Sequence, residues 1–281
     1  MIEILKHSLR VSRFRFWIYT AGTYVVGYSL GSPGFESFFR PEYLLYLIYF
    51  FFPANLLIYG VNDYWDGRTD EHNPKKGTKE EKLTDRKKKR LAGMLVITLC
   101  ISLILILFQD NVSRILFSVF LLLSYFYSAK PIRFKSIPVL DFSSNMLYIM
   151  PGIFGFYIAS GSLPGFLLVL GGYFHISAMH IFSAIPDMEY DRKAKIRTTV
   201  TVIGKKLSLF LCVMFWSLLS YLAISLSGFH PLSFLVLIYP FVPLALLLKN
   251  NLEIEKVYWF FPYINTLLGG LLTFMILLQM F

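Results

Sequence analysis

Nine apolar runs separated by charged or turn-forming segments constrain this chain more than any other feature. They lie at roughly 16–31, 42–62, 91–108, 115–129, 138–159, 163–186, 207–227, 231–248 and 257–280. A helix needs about 20 apolar residues to cross the hydrocarbon core of a bilayer, somewhat fewer if it stops short of the interface. Strict apolar–polar alternation is absent, so a barrel is disfavoured, and helices are left as the way to satisfy backbone groups in lipid. The expected fold is an all-α integral membrane protein, a bundle of about nine transmembrane helices. Composition agrees: 56% of the 281 residues are hydrophobic and 16% charged, against roughly 45–50% and about 25% in soluble domains. The run after Phe16 is too long for a signal peptide and has no clear cleavage site, so it is read as a retained first span. Cys100 and Cys212 lie inside apolar runs and read as small hydrophobes.

A net charge of +10 on so apolar a chain suggests at first a nucleic-acid partner. Sorting the charges by side removes that reading. With the N-terminus on one side and the sides alternating, residues 1–15, 62–90, 129–138, 187–206 and 249–257 share a face. Together they carry 25 of the 27 Lys and Arg residues, and the other face keeps only Arg40 and Arg114. That asymmetry is the positive-inside pattern, which places the N-terminus and these loops in the cytoplasm and the protein in the cell membrane. The run Arg86–Arg90 suits contact with anionic lipid. No nucleic acid is expected as a partner.

Two of the basic loops open with acids at the ends of apolar runs. The first reads Asn62-Asp63-Tyr64-Trp65-Asp66-Gly67-Arg68-Thr69-Asp70; the second holds Asp187, Glu189 and Asp191. Asp66 to Asp187 and Asp70 to Asp191 are both 121 residues apart. This hints at two related helical halves, about 1–137 and 138–281, within a single polytopic domain. On a helix Asp63, Asp66 and Asp70 share one face, as do Asp187 and Asp191, while Glu189 points away. Like charges at such spacing repel unless a cation bridges them. Oxygen-only ligands favour a hard ion, Mg²⁺ first, which prefers to share its shell with phosphate oxygens. Arg68, Arg133, Lys135, Arg192 and Lys193 lie beside or between the clusters, and metal plus cations is what a departing diphosphate requires. The aromatic residues Tyr59, Tyr64, Trp65, Tyr125, Tyr127, Tyr148 and Tyr173 could then shield an allylic carbocation.

Further residues have claims of their own. Asp141 sits just inside a span with Asn145 one turn on; a carboxylate at that depth is either functional or a helix-capping charge. His180 precedes Asp187 and Asp191 by 7 and 11 residues, which places it on their helix face one to two turns deeper, as a hydrogen-bonder or base. His175 is offset from that face and His72 lies in the hydrophilic loop, so both read as bystanders.

N-D-x-x-D-x-x-x-D at 62–70, a second D-x-x-x-D at 187–191 and nine spans resemble the UbiA superfamily of intramembrane prenyltransferases. Three segments resemble its carotenoid-acting, lycopene elongase branch: Ser12–Trp17, Tyr127–Lys135, and Ser183–Asp187 continuing through Asp191-Arg192 to Arg197–Thr199. So does Pro138–Gly152. Phe14 stands where the branch usually has Pro, and Lys195 where it commonly has Gly. The resemblance implies that Asp63, Asp66 and Asp70, with Asp187 and Asp191, hold two Mg²⁺ ions, assisted by Asn62. It implies that Arg68, Arg133 and Lys135 contact the diphosphate of an allylic donor, at a mouth facing the cytoplasm. The reaction would be ionisation, attack by an electron-rich lipophilic acceptor and loss of a proton, with Asp141, Asn145 and His180 as candidates to handle that proton. Lycopene and dimethylallyl diphosphate are the substrates of that branch. An aromatic acceptor of quinone biosynthesis and, in a different class, an ion-coupled transporter remain as alternatives.

Overall fold

A computed structural model describes residues 2–66, 85–249 and 253–280. Among them every regular element is helical. Six helical stretches are long and apolar enough to cross a membrane: Pro41–Asp66, Arg86–Leu107, Phe166–Lys193, Thr199–Leu226, Pro231–Leu248 and Ile254–Leu278. They coincide with six of the nine expected runs. The other three fall on shorter pieces: a 3₁₀ turn Phe14–Tyr19 followed by α2 (Ala21–Gly31), α6 (Asn111–Phe126), and α7 (Leu140–Ser143) leading through a 3₁₀ turn Ser144–Tyr148 into α8 (Met150–Ser160). Large apolar side chains such as Ile97, Ile104, Phe210, Leu267 and Phe274 are exposed, as lipid-facing surface should be.

The chain parts into two compact units, Met1–Arg133 with Met150–Leu163 and Thr273–Phe281, and Phe134–Ile149 with Pro164–Leu272. The first unit contains α1 (Ile2–Val11), α2, α3 (Pro41–Phe51), α4 (Pro53–Asp66), α5 (Asp85–Leu107), α6 and α8. Its core is aromatic: Tyr24, Tyr28, Tyr49, Phe50, Phe117, Phe120 and Phe154 are buried. Their hydroxyls are spent on internal bonds, Tyr24 to the Tyr43 carbonyl (3.2 Å), Tyr28 to that of Ser37 (2.8 Å), and Tyr49 with the Ser102 hydroxyl (2.7 Å). Much of the aromatic load is therefore packing. α3 and α4 form one span broken at Pro53, which has no N–H to continue the helix. The carbonyls left open there are recovered: Asn55 donates to those of Phe50 and Phe51 (both 2.9 Å), and Thr20 donates to Phe50 (2.7 Å). In lipid such groups would otherwise find no water.

In the second unit α9 (Phe166–Ala184) packs along α11 (Thr199–Leu226), and α11 along α12 (Ile238–Leu248). Between α9 and α11 lies α10 (Met188–Lys193); α13 (Ile254–Tyr258) and the start of α14 (Phe261–Leu278) follow α12. Trp216, Phe182 and Phe261 are completely buried, and the Trp216 indole donates to His175 Nδ1 at 3.3 Å. His175 thus belongs to this packing, in keeping with its position off the acidic face. Cys212 is buried, Cys100 is exposed, and both are free thiols.

Candidate functional site

The first acidic motif begins inside α4, which runs four residues past the expected end of its apolar run. Asn62, Asp63 and Asp66 occupy its last two turns, and the two carboxylate residues are 4% and 5% exposed. Burying two carboxylates one turn apart is costly unless each is paired. Each is. Arg13 donates to Asp63 Oδ1 at 3.0 Å and Arg133 to Asp66 Oδ1 at 2.9 Å, while the Ser128 hydroxyl donates to Asn62 Oδ1 at 2.9 Å. Arg13 also lies over the Tyr59 ring, 4.8 Å from its centroid, and Lys88 lies 4.8 Å from that of Tyr64. Two of the aromatic candidates therefore already present π-faces to cations, the property that carbocation shielding requires. Carboxylate oxygens are the donors that a hard divalent ion takes, and Asp63 and Asp66 bring theirs one turn apart; among the described residues no group of three or more acids, histidines or cysteines is gathered to hold an ion. Arg68 and Asp70 lie outside the described residues.

The second motif follows a change of helix type. α9 ends at Ala184, a 3₁₀ turn spans Ile185–Asp187 with Pro186 in it, and α10 carries Asp191. A 3₁₀ turn advances about 120° per residue rather than about 100°. Three such residues rotate the acids by roughly 60° from where a continuous helix would put them. The unbroken helix over 180–191 that a common face for His180, Asp187 and Asp191 requires is therefore not formed. Asp187 and Asp191 are half-buried. Glu189 is exposed and pairs with Arg192 at 3.2 Å.

α10 ends in a Schellman motif. The N–H of Ile196 donates to the Asp191 carbonyl (2.8 Å) and that of Lys195 to Arg192 (3.1 Å), with Lys195 in the left-handed region at φ 56°. Glycine is the usual residue at that position because it alone adopts the conformation without steric cost. The departure at Lys195 therefore leaves the backbone course intact and adds only a modest strain beside Asp191.

Asp141 is 1% exposed. Its carboxylate accepts from the N–H of Thr199 (2.6 Å) and from the Thr199 hydroxyl (2.5 Å), whose oxygen in turn accepts from the N–H of Val139 (2.7 Å). Asn145 donates to the Asp141 carbonyl at 2.6 Å. The carboxylate thus clips the start of α7 to the first turn of α11, and Val139, at φ 72°, is a β-branched residue held in a strained conformation. His180 is half-buried near the end of α9. Lys135 is half-buried in a 3₁₀ turn, Phe134–Ser136. Tyr173 shares a hydrogen bond of 2.9 Å with Ser143 beside the same clip.

Arg13 and Thr199 are the residues whose roles the spacing of the chain did not disclose. Both fall in segments that carry the family resemblance, and that was their only signal.

Residues 20–277 match the model of the UbiA prenyltransferase family. The chain belongs to this family. It is thereby a prenyltransferase, and the transporter reading falls away. A lycopene elongase/hydratase of Haloarcula japonica is 36% identical over 272 residues, 96% of this chain and 90% of that one. A protein of the same description from Halobacterium salinarum is 36% identical over 273 residues, 96% of each chain. Among solved structures, a UbiA homologue from Archaeoglobus fulgidus bound to GPP and Mg²⁺ superposes with a TM-score of 0.72. It is 20% identical and covers 96% of this chain and 99% of its own. The fold is therefore that of the UbiA family, and the protein is a multi-pass membrane protein.

Proposed function

We propose that this prenyltransferase is Mg²⁺-dependent and moves a prenyl group from an allylic diphosphate to a carotenoid, lycopene or a close relative. The observation that carries the first part is the buried end of α4, where paired carboxylates meet two arginines. The acceptor is inferred from the lycopene elongase/hydratase relatives, each similar over nearly the whole chain. An aromatic acceptor of quinone biosynthesis has no observation in its favour.

In this reading Asp63, Asp66 and Asp70, with Asn62 assisting, and Asp187 and Asp191 hold the metal. Bound Mg²⁺ supplies positive charge against the charge that grows on the departing diphosphate. Arg68, Arg133 and Lys135 hold the diphosphate oxygens and keep the donor oriented as its C–O bond breaks. The ring faces of Tyr59 and Tyr64 shield positive charge while excluding water. The acceptor's double bond then forms the new C–C bond, and the resulting cation gives up a proton. His180 receives it, with Asp141 as its electrostatic partner and Asn145 holding the Asp141 backbone. All of this belongs to one domain of two related halves, about 1–137 and 138–281, which crosses the cell membrane nine times with the N-terminus and both acidic motifs on the cytoplasmic side.

The test is mass spectrometry of pigments and quinones from a lycopene-producing host. Expression of the protein should yield carotenoids heavier than lycopene by whole isoprene units. Asp66→Ala should lower their amount by at least about a hundredfold, the scale on which loss of one transition-state charge contact acts. New product found only on an aromatic acid would sink the carotenoid reading.

A further inference from the structure

We propose that Arg13 and Arg133 are exchangeable counter-cations. In the metal-free protein they neutralise Asp63 and Asp66; when metal and diphosphate load together, they release these carboxylates and turn to the diphosphate. The inference rests on the metal-dependent reading above and adds to it an order of binding and a role for Arg13. All four residues lie in the first unit.

Three observations converge on it. The guanidinium–carboxylate distances are 3.0 and 2.9 Å to Oδ1 of each acid, so each arginine occupies an oxygen that a metal ion would use. A divalent ion brought into this buried place would meet two aspartates already neutralised and two cations a few ångströms away, and would be repelled. Added together with a diphosphate, whose charge exceeds that of the ion, it lets both arginines keep an anionic partner.

The arginines are also presented from strained backbone positions outside the helices. Among the described residues five non-glycine positions have positive φ, and Arg13 (φ 52°) and Arg133 (φ 51°) are two of them. An L-residue pays about 1–2 kcal/mol for that region, and such strain gathers where a side chain must be presented in a fixed way. Arg13 sits just after α1 and before the 3₁₀ turn Phe14–Tyr19, and Arg133 just before the turn Phe134–Ser136. Neither lies within a helix, so a change of side-chain rotamer unwinds nothing.

Each guanidinium, finally, has somewhere to go. Arg13 rests on the Tyr59 ring, which still holds its charge as Asp63 is released. The Nε of Arg133 is buried with no hydrogen-bond partner while its NH2 group holds Asp66. A buried unspent donor costs free energy, and a diphosphate oxygen would satisfy it in the forked geometry that arginine favours.

The experiment measures Mn²⁺ binding to the full-length protein in detergent by electron paramagnetic resonance, with and without dimethylallyl S-thiolodiphosphate, an analogue that resists ionisation. The unmodified protein should bind Mn²⁺ weakly alone and more than about tenfold more tightly with the analogue, a coupling of ordinary size. Arg13→Gln and Arg133→Gln should each tighten Mn²⁺ binding in the absence of the analogue and lose most of the coupling. Equal Mn²⁺ affinity with and without the analogue in the unmodified protein overturns the exchange without needing any variant. So does a glutamine variant that folds but binds Mn²⁺ alone no better than the unmodified protein. Absence of protein-bound Mn²⁺ under every condition overturns the metal-dependent reading as well.

Discussion

At the scale of residues, side chains that spacing singled out acquire partners that spacing does not reveal. Asp63 and Asp66 stand out locally, as acids one turn apart at the end of an apolar run. Their arginines come from 50 and 67 positions away, and Asp141 finds Thr199 at a separation of 58. Pairings of that range are set by tertiary packing, which has no period in the sequence. The Thr199 clip makes a prediction of its own. Thr199→Val keeps the branched shape but removes the hydroxyl, leaving the buried Asp141 carboxylate one donor short and the Val139 N–H without its acceptor. A buried group stripped of its partner costs about 1–3 kcal/mol, so the melting temperature in detergent should fall, whereas Thr199→Ser should melt close to the unmodified protein. Equal melting of both variants would show that the hydroxyl contributes nothing.

Elements bring in close approach. α2 and α8 cross through glycines: a Cβ added at Gly27 would lie 2.0 Å from the Gly152 carbonyl oxygen, and one at Gly31 2.5 Å from that of Phe156. Small residues spaced four apart let membrane helices approach this closely. The pairing of Gly27 with Gly152 has no local signal in the sequence, because the two glycines lie on helices far apart along the chain. Gly27→Ala should be destabilising by at least about 1–3 kcal/mol, since the obstructing atoms are backbone and cannot rotate aside. Gly93 is the control. It lies on α5 with nothing within 4 Å of an added Cβ, so Gly93→Ala should be neutral or stabilising by up to about 1 kcal/mol. Thermal unfolding of the two variants side by side decides it; a Gly27→Ala protein that melts normally would rule out the crossing. Helix breaks show the same boundary of legibility. Pro53 announces its interruption in the sequence, whereas the switch to a 3₁₀ turn at Ile185–Asp187 is marked only by Pro186 and displaces the second acidic motif from the expected face.

For the molecule as a whole, hydropathy and charge are the most legible layers, because lipid acts on every residue of a span at once and needs no particular partner. Six of the nine apolar runs become helices long enough to cross a bilayer. Of the other three, the fifth is divided where Asp141, Ser144 and Asn145 occur, the first begins in a 3₁₀ turn, and the fourth is a helix of 16 residues. Whether those three cross the membrane decides the orientation of everything after them, and a missed crossing at the fourth or the fifth run alone would invert the second acidic motif relative to the first. Single cysteines measure this directly in a Cys100→Ala background, Cys212 being buried. Lys89, Lys206, Phe39 and Ser162 are exposed, and the charge asymmetry assigns the two lysines to the basic face and the other two to the opposite one. An impermeant maleimide applied to intact cells should label Phe39→Cys and Ser162→Cys, and applied to inverted vesicles it should label Lys89→Cys and Lys206→Cys. Phe39 and Lys89 bracket one crossing-length stretch, Pro41–Asp66, so opposite labelling of the two tests that crossing. Ser162 and Lys206 then report on the fifth and sixth runs. If Ser162→Cys and Lys206→Cys label from the same side, the sixth run does not cross and the nine-crossing arrangement is wrong. If all four follow the charge asymmetry, the +10 net charge is accounted for by orientation in the membrane, with the basic residues near the acids left for the substrate.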